Sequence, residues 1–386
     1  MFDSTTDRRR TGSLKWDVAD HELPMWVADM DFTAAPCIRR ALEYRVAHGI
    51  FGYNTLPDEW AQAYIGWWQR RHGFSMQADW LIFCTGIVPA ISTAVRKLTT
   101  PAENVLLLTP VYNIFFNSVL NNGRRVLECP LRCEDNRFSI DWADLEQKLA
   151  DPQTSLFILC NPHNPTGNIW SREELARIGE LCAKHGVTVI ADEIHCDLTD
   201  PGCAYTPFAS VSPTCRDISV TCIAPTKAFN IAGLQTAAVC VPQPQLRHKM
   251  WRALNTDEVA EPNSFAVPAT IAAFNEGEAW LDSLRAYIAE NKQEVARFLA
   301  AELPRVGLTR SQATYLLWLD CSAYGIPSVE LADRIRRETG LYLSAGAAFG
   351  GPHDCYLRLN IACPRTTLRD GLRRLKQGLD KVGRGE

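Results

Sequence analysis

Six short segments in the middle of the chain are strand candidates, and several of them are apolar almost throughout, which most restricts the possible fold. Strands that are apolar throughout, rather than at alternate positions, are typical of a parallel sheet covered by helices on both faces. The chain has 386 residues, enough for more than one domain around such a sheet. The predicted strands are Asn104–Thr109, Arg125–Leu131, Ser155–Cys160, Val187–Asp192, Ile218–Ile223 and Ala237–Val241.

An amphipathic segment between two of these strands predicts the helix of a βαβ unit. Ser171 and Glu174 have the spacing of a capping box, and Gly186 is placed to end the helix just before the next strand. A strand, a helix and a second strand in this order indicate the α/β class.

The last third of the chain has a different pattern and predicts a second unit. It contains one long helix, three short strands and a closing helix, at Glu278–Glu302, Thr314–Asp320, Tyr342–Ser344, Tyr356–Ile361 and Thr366–Val382. We predict a large domain at residues 46–280 and a small C-terminal domain at 281–386. The N-terminal segment, residues 1–45, is expected to join the small domain.

Net charge and composition give no reason to expect certain partners of the chain, such as nucleic acid or a membrane. The net charge of −4 gives no electrostatic reason to expect nucleic acid or an anionic membrane. No window approaches 18 uninterrupted apolar residues, so we expect no transmembrane helix. The 14 cysteines are scattered and form no C-x-x-C pair, which favours a reducing cytoplasm and predicts no metal site.

Three polar segments occur in an order that suits pyridoxal phosphate. Lys227 has small and apolar neighbours, Asp192 closes an apolar strand, and Asn164 precedes a Pro-Thr-Gly turn. This cofactor needs a lysine for its aldehyde, an anion for its ring nitrogen and a donor beside its phenolic oxygen. Taken singly, the lysine could be a surface charge, the aspartate a helix cap and the asparagine a turn residue.

A strand-to-helix junction is the candidate phosphate site. Gly86 follows an apolar segment, and the amides of Ile87 and Val88 would point towards an anion at the start of the next helix. Thr226 could add a hydroxyl beside the lysine. The glycine-rich loops G-x-x-x-x-G-K-[ST] and G-x-G-x-x-G do not occur.

Two further residues are candidates for the cofactor or the substrate. Tyr112 follows a strand end and is either a loop tyrosine or an aromatic that contacts the cofactor. Arg358 interrupts an apolar strand, so its guanidinium needs a partner. That partner is either a structural carboxylate or the carboxylate of a substrate.

The order of these segments resembles the fold-type-I aminotransferase superfamily, and longer motifs resemble its MalY/PatB group of cystathionine β-lyases. The motifs are KWD at 15–17, LPMWVADMDF at 23–32, HGIFGY at 48–53, DEIH at 192–195 and FNIAGL at 229–234. The resemblance implies a large domain with a mostly parallel seven-stranded sheet covered by helices. It also implies a smaller α/β domain built from both chain ends.

The same resemblance implies roles at the cofactor. Asn164 donates to the phenolic oxygen, and Tyr112 stacks on the ring. His195 stands where many aminotransferases have a tyrosine for that oxygen. Gln235 stands where an arginine often binds phosphate, which leaves the phosphate contacts open.

Further roles concern the substrate and a second subunit. The resemblance places Arg358, Asn164, Trp26 and Ala28 at the substrate, with the arginine on its α-carboxylate. Tyr53 is implied to cross the interface of a homodimer and reach the partner's cofactor phosphate.

The implied reaction is β-elimination from L-cystathionine or a related cysteine thioether, which yields a thiol (homocysteine from cystathionine), pyruvate and ammonia. Lys227 would remove the α-proton while the ring paired with Asp192 accepts charge. Transamination remains an alternative, because it uses the same core residues. A lyase with an added regulatory protein-binding role is another alternative, but no sequence pattern marks a surface for it.

Overall fold

The computed structural model describes residues 2–383, which form fifteen strands and twelve α-helices. The strands are β1 (Leu23–Pro24), β2 (Leu81–Cys84), β3 (Asn104–Thr109), β4 (Arg125–Pro130), β5 (Arg132–Glu134), β6 (Arg137–Ser139), β7 (Thr154–Cys160), β8 (Thr188–Asp192), β9 (Ser219–Ile223), β10 (Ala237–Cys240), β11 (Gly307–Leu308), β12 (Leu316–Asp320), β13 (Leu341–Tyr342), β14 (Ser344–Ala345) and β15 (Tyr356–Asn360). The helices are α1 (Pro36–His48), α2 (Asp58–His72), α3 (Ile87–Leu98), α4 (Ile114–Leu120), α5 (Trp142–Leu149), α6 (Arg172–His185), α7 (Pro213–Asp217), α8 (Pro244–Thr256), α9 (Ala266–Glu276), α10 (Glu278–Glu302), α11 (Ser328–Thr339) and α12 (Arg365–Gly383).

The central sheet has seven strands in the order β2-β10-β9-β8-β7-β3-β4. β10 runs antiparallel to both of its neighbours, whereas the pairs from β9 to β4 are parallel. Successive residues of β3 enter different cores: Val105 and Leu107 pack on one face, and Leu106 and Leu108 on the other. The prediction of a mostly parallel sheet buried on both faces is confirmed.

The βαβ unit of β7, α6 and β8 forms as its sequence predicts. The Ser171 side chain accepts from the Glu174 amide, and the Glu174 carboxylate accepts from the Ser171 amide. Gly186 ends the helix at φ 71°, a left-handed conformation that glycine adopts without strain. Because parallel strands end at one edge of the sheet, Asp192 and the loop after β7 meet there.

The second unit is a four-stranded sheet in the order β11-β12-β15-β14, packed with α11 and α12. The prediction of one strand at Tyr342–Ser344 is wrong, because this stretch is shared by two sheets. β13 pairs with β1 from the N-terminal segment, and β14 pairs with β15. Only Leu343 separates the two strands, so the chain changes its pairing partner across a single residue.

A buried charge cluster fixes the N-terminal segment and accounts for its motif. The ammonium of Lys15, which is fully buried, lies 2.9 Å from the carboxylate of Asp31. Asp31 also accepts from Trp16 Nε1 at 2.7 Å and from Arg8 at 2.8 Å. A buried ammonium is costly unless paired, so the KWD and VADMD motifs depend on each other.

None of the helices within residues 2–383 is both long enough and apolar enough to cross a membrane. All 14 cysteines lie in this part of the chain, and none forms a disulfide.

Candidate active site

A cavity of about 210 Å³ opens at the carboxyl edge of the central sheet. It brings together all but three of the residues that the sequence marks for cofactor or substrate; Tyr53, Trp26 and Arg358 lie outside its lining. Those lining it are Ala28, Gly86, Ile87, Val88, Tyr112, Asn164, Asp192, His195, Thr226 and Lys227.

Lys227 places its amine inside this cavity. Nζ donates to the backbone carbonyl of Ala28 at 2.6 Å, and Tyr315 Oη donates to the same carbonyl at 3.1 Å. Burial lowers the pKa of Lys227 to about 8, and the Arg358 charge lowers it further while Asp29 and Asp192 oppose the shift. More of the amine is therefore unprotonated near neutral pH than in an exposed lysine, and the unprotonated form is the one that nucleophilic attack or proton abstraction requires.

Asp192 ends β8 with a buried carboxylate. One of its oxygens accepts from the Ile194 amide at 3.1 Å. Burial raises the pKa of Asp192 to about 7, against the opposing effects of that amide and of Lys227. A carboxylate this desolvated is stabilised by a cation beside it, and a protonated pyridine nitrogen has the required charge.

His195 faces the same cavity as a neutral ring. Burial lowers its pKa to about 3, and the charges of Lys227 and Arg358 act in the same direction. Its buried Nδ1 has no hydrogen-bond partner among residues 2–383. A polar group that is buried and unpaired in a protein is costly, so a bound molecule with a matching group would satisfy this nitrogen.

Two acids close to Asp192 in sequence, Glu193 and Asp197, do not face the cavity and bind other side chains instead. Glu193 points away from the cavity and accepts from the Tyr205 hydroxyl and from the Phe208 amide, the latter at 2.8 Å. Asp197 accepts from Trp67 Nε1 at 3.0 Å and lies 2.9 Å from His72 Nε2. These buried contacts fix the loop after β8 and leave Asp192 as the acid that faces the cavity.

The first turn of α3 borders the cavity at Gly86, Ile87 and Val88. Amides in a first helical turn have no acceptor within the helix, and they carry the positive end of its dipole. Thr226 lines the same cavity. An anion such as a phosphate therefore finds donors here. Gln235 is exposed and borders neither this cavity nor the larger one described next.

A second cavity of about 760 Å³ continues from the first and shares Ala28, Tyr112 and Lys227 with it. Trp26 and Arg358 line this larger space. Every cofactor candidate except Tyr53 therefore lines the inner cavity. Of the substrate candidates, Trp26, Ala28 and Arg358 line the outer cavity, whereas Asn164 lines only the inner one.

Arg358 is buried on β15 and has no carboxylate partner among residues 2–383. It donates to Asn164 Oδ1 at 3.2 Å and to the carbonyl of Trp26 at 2.8 Å, and it lies 4.9 Å from the Phe349 ring centroid. Its Nε has no acceptor. Burial lowers the pKa of Arg358 to about 10, so the side chain stays charged at neutral pH. The structural salt bridge considered from the sequence is absent from the described residues.

Two asparagines that the sequence did not single out hold the segment that carries Ala28. Asn360 Nδ2 donates to the carbonyls of Val27 and Asp29, both at 2.6 Å. Asn230 accepts from the Met30 amide at 3.0 Å and donates to the Phe32 carbonyl at 2.8 Å. Each asparagine is a polar residue within an apolar run, which is the signal that could have revealed it.

Tyr53 does not line either cavity and is fully exposed. It borders a separate surface groove with Gly233, and Gly233 also lines the larger cavity. The groove therefore adjoins the site that contains Lys227.

Comparison with known proteins supports the fold and the site together. A family model described as aminotransferase class I and II matches residues 27–375. The chain belongs to this family. The match includes Val27–Asp31, the Asp192 loop, Lys227 and Arg358, so one family accounts for the site residues from Val27 onwards.

Relatives within the family confirm the resemblance to the MalY/PatB group. The chain is 47% identical over 385 residues to the cystathionine beta-lyase PatB of Bacillus subtilis, covering 98% of this chain and 99% of the relative. It is 32% identical to the protein MalY of Escherichia coli, with 96% of each chain covered. Among solved structures, cystalysin of Treponema denticola, which contains a pyridoxal 5'-phosphate cofactor, has a TM-score of 0.96 and 29% identity, with 99% of each chain covered.

The side chains of this family member have the chemistry that pyridoxal phosphate requires. An amine, a desolvated carboxylate, an unpaired imidazole nitrogen and a helix start face one cavity. The unpaired Nδ1 of His195 and the raised pKa of Asp192 are both relieved by a bound group with complementary charge. The site fits this cofactor.

Proposed function

We propose that the chain is a pyridoxal-phosphate-dependent carbon–sulfur β-lyase that cleaves L-cystathionine or a related cysteine thioether. The products are a thiol, which is homocysteine for cystathionine, together with pyruvate and ammonia. The main support for β-elimination, rather than transamination, is the 47% identity with PatB over 98% of the chain. The shared cavity of Lys227, Asp192 and Asn164 supports it, because a non-catalytic relative has no need of this set.

The residues around the inner cavity would hold the cofactor. When bound, pyridoxal phosphate withdraws the electron pair left at the substrate Cα after loss of its proton. The assigned contacts are Lys227 with the aldehyde carbon, Asp192 with the ring nitrogen, Asn164 and His195 with the phenolic side of the ring, Tyr112 with the ring face, and Gly86, Ile87, Val88 and Thr226 with the phosphate.

Lys227 moves the proton. The Lys227 amine would be the group that accepts the substrate α-proton, and its lowered pKa of about 8 favours the unprotonated form more than in an exposed lysine. The Ala28 carbonyl, 2.6 Å from Nζ, keeps the amine within the cavity during this transfer. The same proton can then go to the sulfur that leaves Cβ.

Arg358 orients the substrate. Its hydrogen bonds to Asn164 and to the Trp26 carbonyl fix the guanidinium plane, and no described carboxylate competes for it. A substrate α-carboxylate supplies the missing anion. Trp26 and Ala28 border the same space, so they contact the amino acid held there.

We also infer a homodimer in the cytoplasm with shared active sites. Tyr53 belongs to a stretch of exposed apolar side chains, and exposed apolar surface of this extent is typical of an interface. The others are Tyr44, Val46, Ile50, Phe51 and Leu56. A two-fold contact would cover them and bring Tyr53 to the partner's phosphate site, where Gln235 offers no positive charge. The unpaired thiols fit a reducing compartment.

A pyruvate assay separates the lyase from the aminotransferase alternative. Holoenzyme is mixed with L-cystathionine and no 2-oxo acid, and pyruvate and free thiol are followed together. The lyase releases both continuously in equal amounts. Release of neither pyruvate nor thiol, together with conversion of an added 2-oxo acid such as 2-oxoglutarate into its amino acid, would favour transamination.

A further inference from the structure

The larger cavity has a charged outer end that the proposed reaction does not use. Lys227 and Arg358 lie at its inner end, whereas Asp333 and Arg336 of α11 border it where exposed Val329 and Leu14 meet solvent. Residues three apart on a helix lie on one face, so Asp333 and Arg336 bring opposite charges to the same side of α11 without forming an ion pair with each other.

A continuous wall connects the two ends. The Trp26 carbonyl accepts from Arg358, and the Trp26 ring stacks on Tyr342 with centroids 4.8 Å apart. The guanidinium carbon of Arg336 lies 3.7 Å from the centroid of that tyrosine ring. The wall between the charged ends is therefore aromatic, which suits the methylene groups and sulfur of a thioether.

The two charged residues at the outer end, Asp333 and Arg336, differ in how far other residues neutralise them. Arg336 binds Glu22 through Nε at 2.6 Å and Nη2 at 3.1 Å, so its Nη1 is not used by that carboxylate. Asp333 has no ion pair or hydrogen bond with any residue in 2–383. Because Glu22 balances Arg336, the outer end carries one uncompensated negative charge.

We propose that this outer end binds the distal amino-acid group of the substrate. Asp333 contacts its ammonium and the Arg336 guanidinium its carboxylate, while Arg358 holds the carboxylate at the reacting end. The inference rests on the proposed lyase function and narrows its substrate class. The preferred substrates are thioethers with a second zwitterionic end, such as cystathionine, over S-alkyl cysteines.

Four thioethers test the assignment on holoenzyme. L-Cystathionine has both distal charges, S-aminoethyl-L-cysteine has the ammonium, S-carboxymethyl-L-cysteine has the carboxylate and S-propyl-L-cysteine has neither. Asp333→Asn should lower kcat/KM about fivefold for the two ammonium substrates, mainly through KM, and leave S-propyl-L-cysteine unchanged. The loss should shrink in high salt, because exposed charges are screened.

Two further variants test whether the effect depends on the position and the sign of the charge at Asp333. Glu330→Gln removes the same charge from the same helix, but Glu330 pairs with Arg334 and does not border the cavity, so it should not change the substrate order. Asp333→Lys should reverse the preference towards S-carboxymethyl-L-cysteine. Equal effects of Asp333→Asn on all four substrates, or none on any, would overturn the subsite.

Failure of the lyase function is recognised separately. If wild-type enzyme releases no pyruvate from S-propyl-L-cysteine or from the other three, the reaction assignment is wrong. The subsite is then judged from dissociation constants for the same four amino acids, measured by the change in cofactor absorbance. An Asp333→Asn protein that binds S-aminoethyl-L-cysteine as tightly as wild type contradicts the subsite in that case too.

Discussion

The Lys227 amine donates to the backbone carbonyl of Ala28 at 2.6 Å, although the two residues are 199 positions apart. Ala28 belongs to the N-terminal segment, which pairs with the small unit through β1 and β13. Lys227 follows β9 of the central sheet. The contact therefore joins the two parts of the fold at the reacting amine, and the position of that amine depends on both.

Lys227→Ala should abolish turnover and the covalent attachment of cofactor, because no other described amine borders the inner cavity. Borohydride reduction of wild-type holoenzyme followed by peptide mass spectrometry should find the cofactor on Lys227. The exposed lysine variant Lys97→Ala should keep both properties. Normal turnover by the Lys227→Ala protein would refute the assignment.

Asp192→Asn should keep the cofactor bound, more weakly, but lower turnover by roughly a hundredfold or more. The amide cannot neutralise a protonated ring nitrogen, so the charge developing at Cα is less well stabilised. Turnover and the rate of exchange of the substrate α-proton with deuterium should fall together. An exchange rate equal to that of wild type would show that Asp192 has another role.

The same substitution should stabilise the cofactor-free protein at alkaline pH. Burial raises the pKa of Asp192 from 3.8 to about 7, so the folded state binds more protons than the unfolded state between these values. Stability is therefore lost as pH rises through this range. Asp192→Asn should gain up to about 4 kcal/mol at pH 8 and almost nothing near pH 4.

Urea unfolding of cofactor-free protein at fixed concentration measures this difference. Asp135→Asn is a suitable control, because Asp135 is exposed and its left-handed φ of 50° is tolerated by asparagine. The control should show no such pH dependence. A gain for Asp192→Asn that is the same at both pH values would contradict the burial argument.

The sequence predicted the parts of this site that are encoded locally. An apolar strand ending in Asp192 and a lysine among small residues can be recognised without knowledge of distant contacts. An isolated polar residue in an apolar run marks Asn360 and Asn230 locally, but what they and Tyr315 bind could not be assigned in this way. Their partner is the backbone of the Val27–Phe32 segment, far along the chain.

The fold likewise has parts that follow from local sequence and parts that depend on distant contacts. Six of the seven strands of the central sheet, all but β2, were predicted to within a residue or two, since each is a largely apolar run. Tyr342–Ser344 was mistaken for one strand because the partners of β13 and β14 are set by tertiary pairing, which no local pattern records. The roles of the individual site residues and the domain limits at 45 and 280 stay predictions.

Arg358→Lys should raise KM for L-cystathionine by roughly ten- to a hundredfold and change kcat much less. Lysine keeps the charge but loses the planar pair of donors that grips a carboxylate, and such charged hydrogen bonds contribute about 1.5–3 kcal/mol. Steady-state kinetics with saturating cofactor gives both constants. A fall in kcat with unchanged KM would place Arg358 in the chemical step instead.

A mixed dimer tests whether Tyr53 acts across a subunit interface. One chain carries Tyr53→Phe with Lys227 intact, and the other carries Lys227→Ala with Tyr53 intact. If Tyr53 reaches the partner's site, the single lysine-bearing site receives a normal tyrosine and should have wild-type kcat/KM per site. The Tyr53→Phe homodimer, measured alongside, supplies the defective value. A mixed dimer with that defective value would mean that Tyr53 serves its own chain, since its lysine-bearing subunit then lacks the hydroxyl.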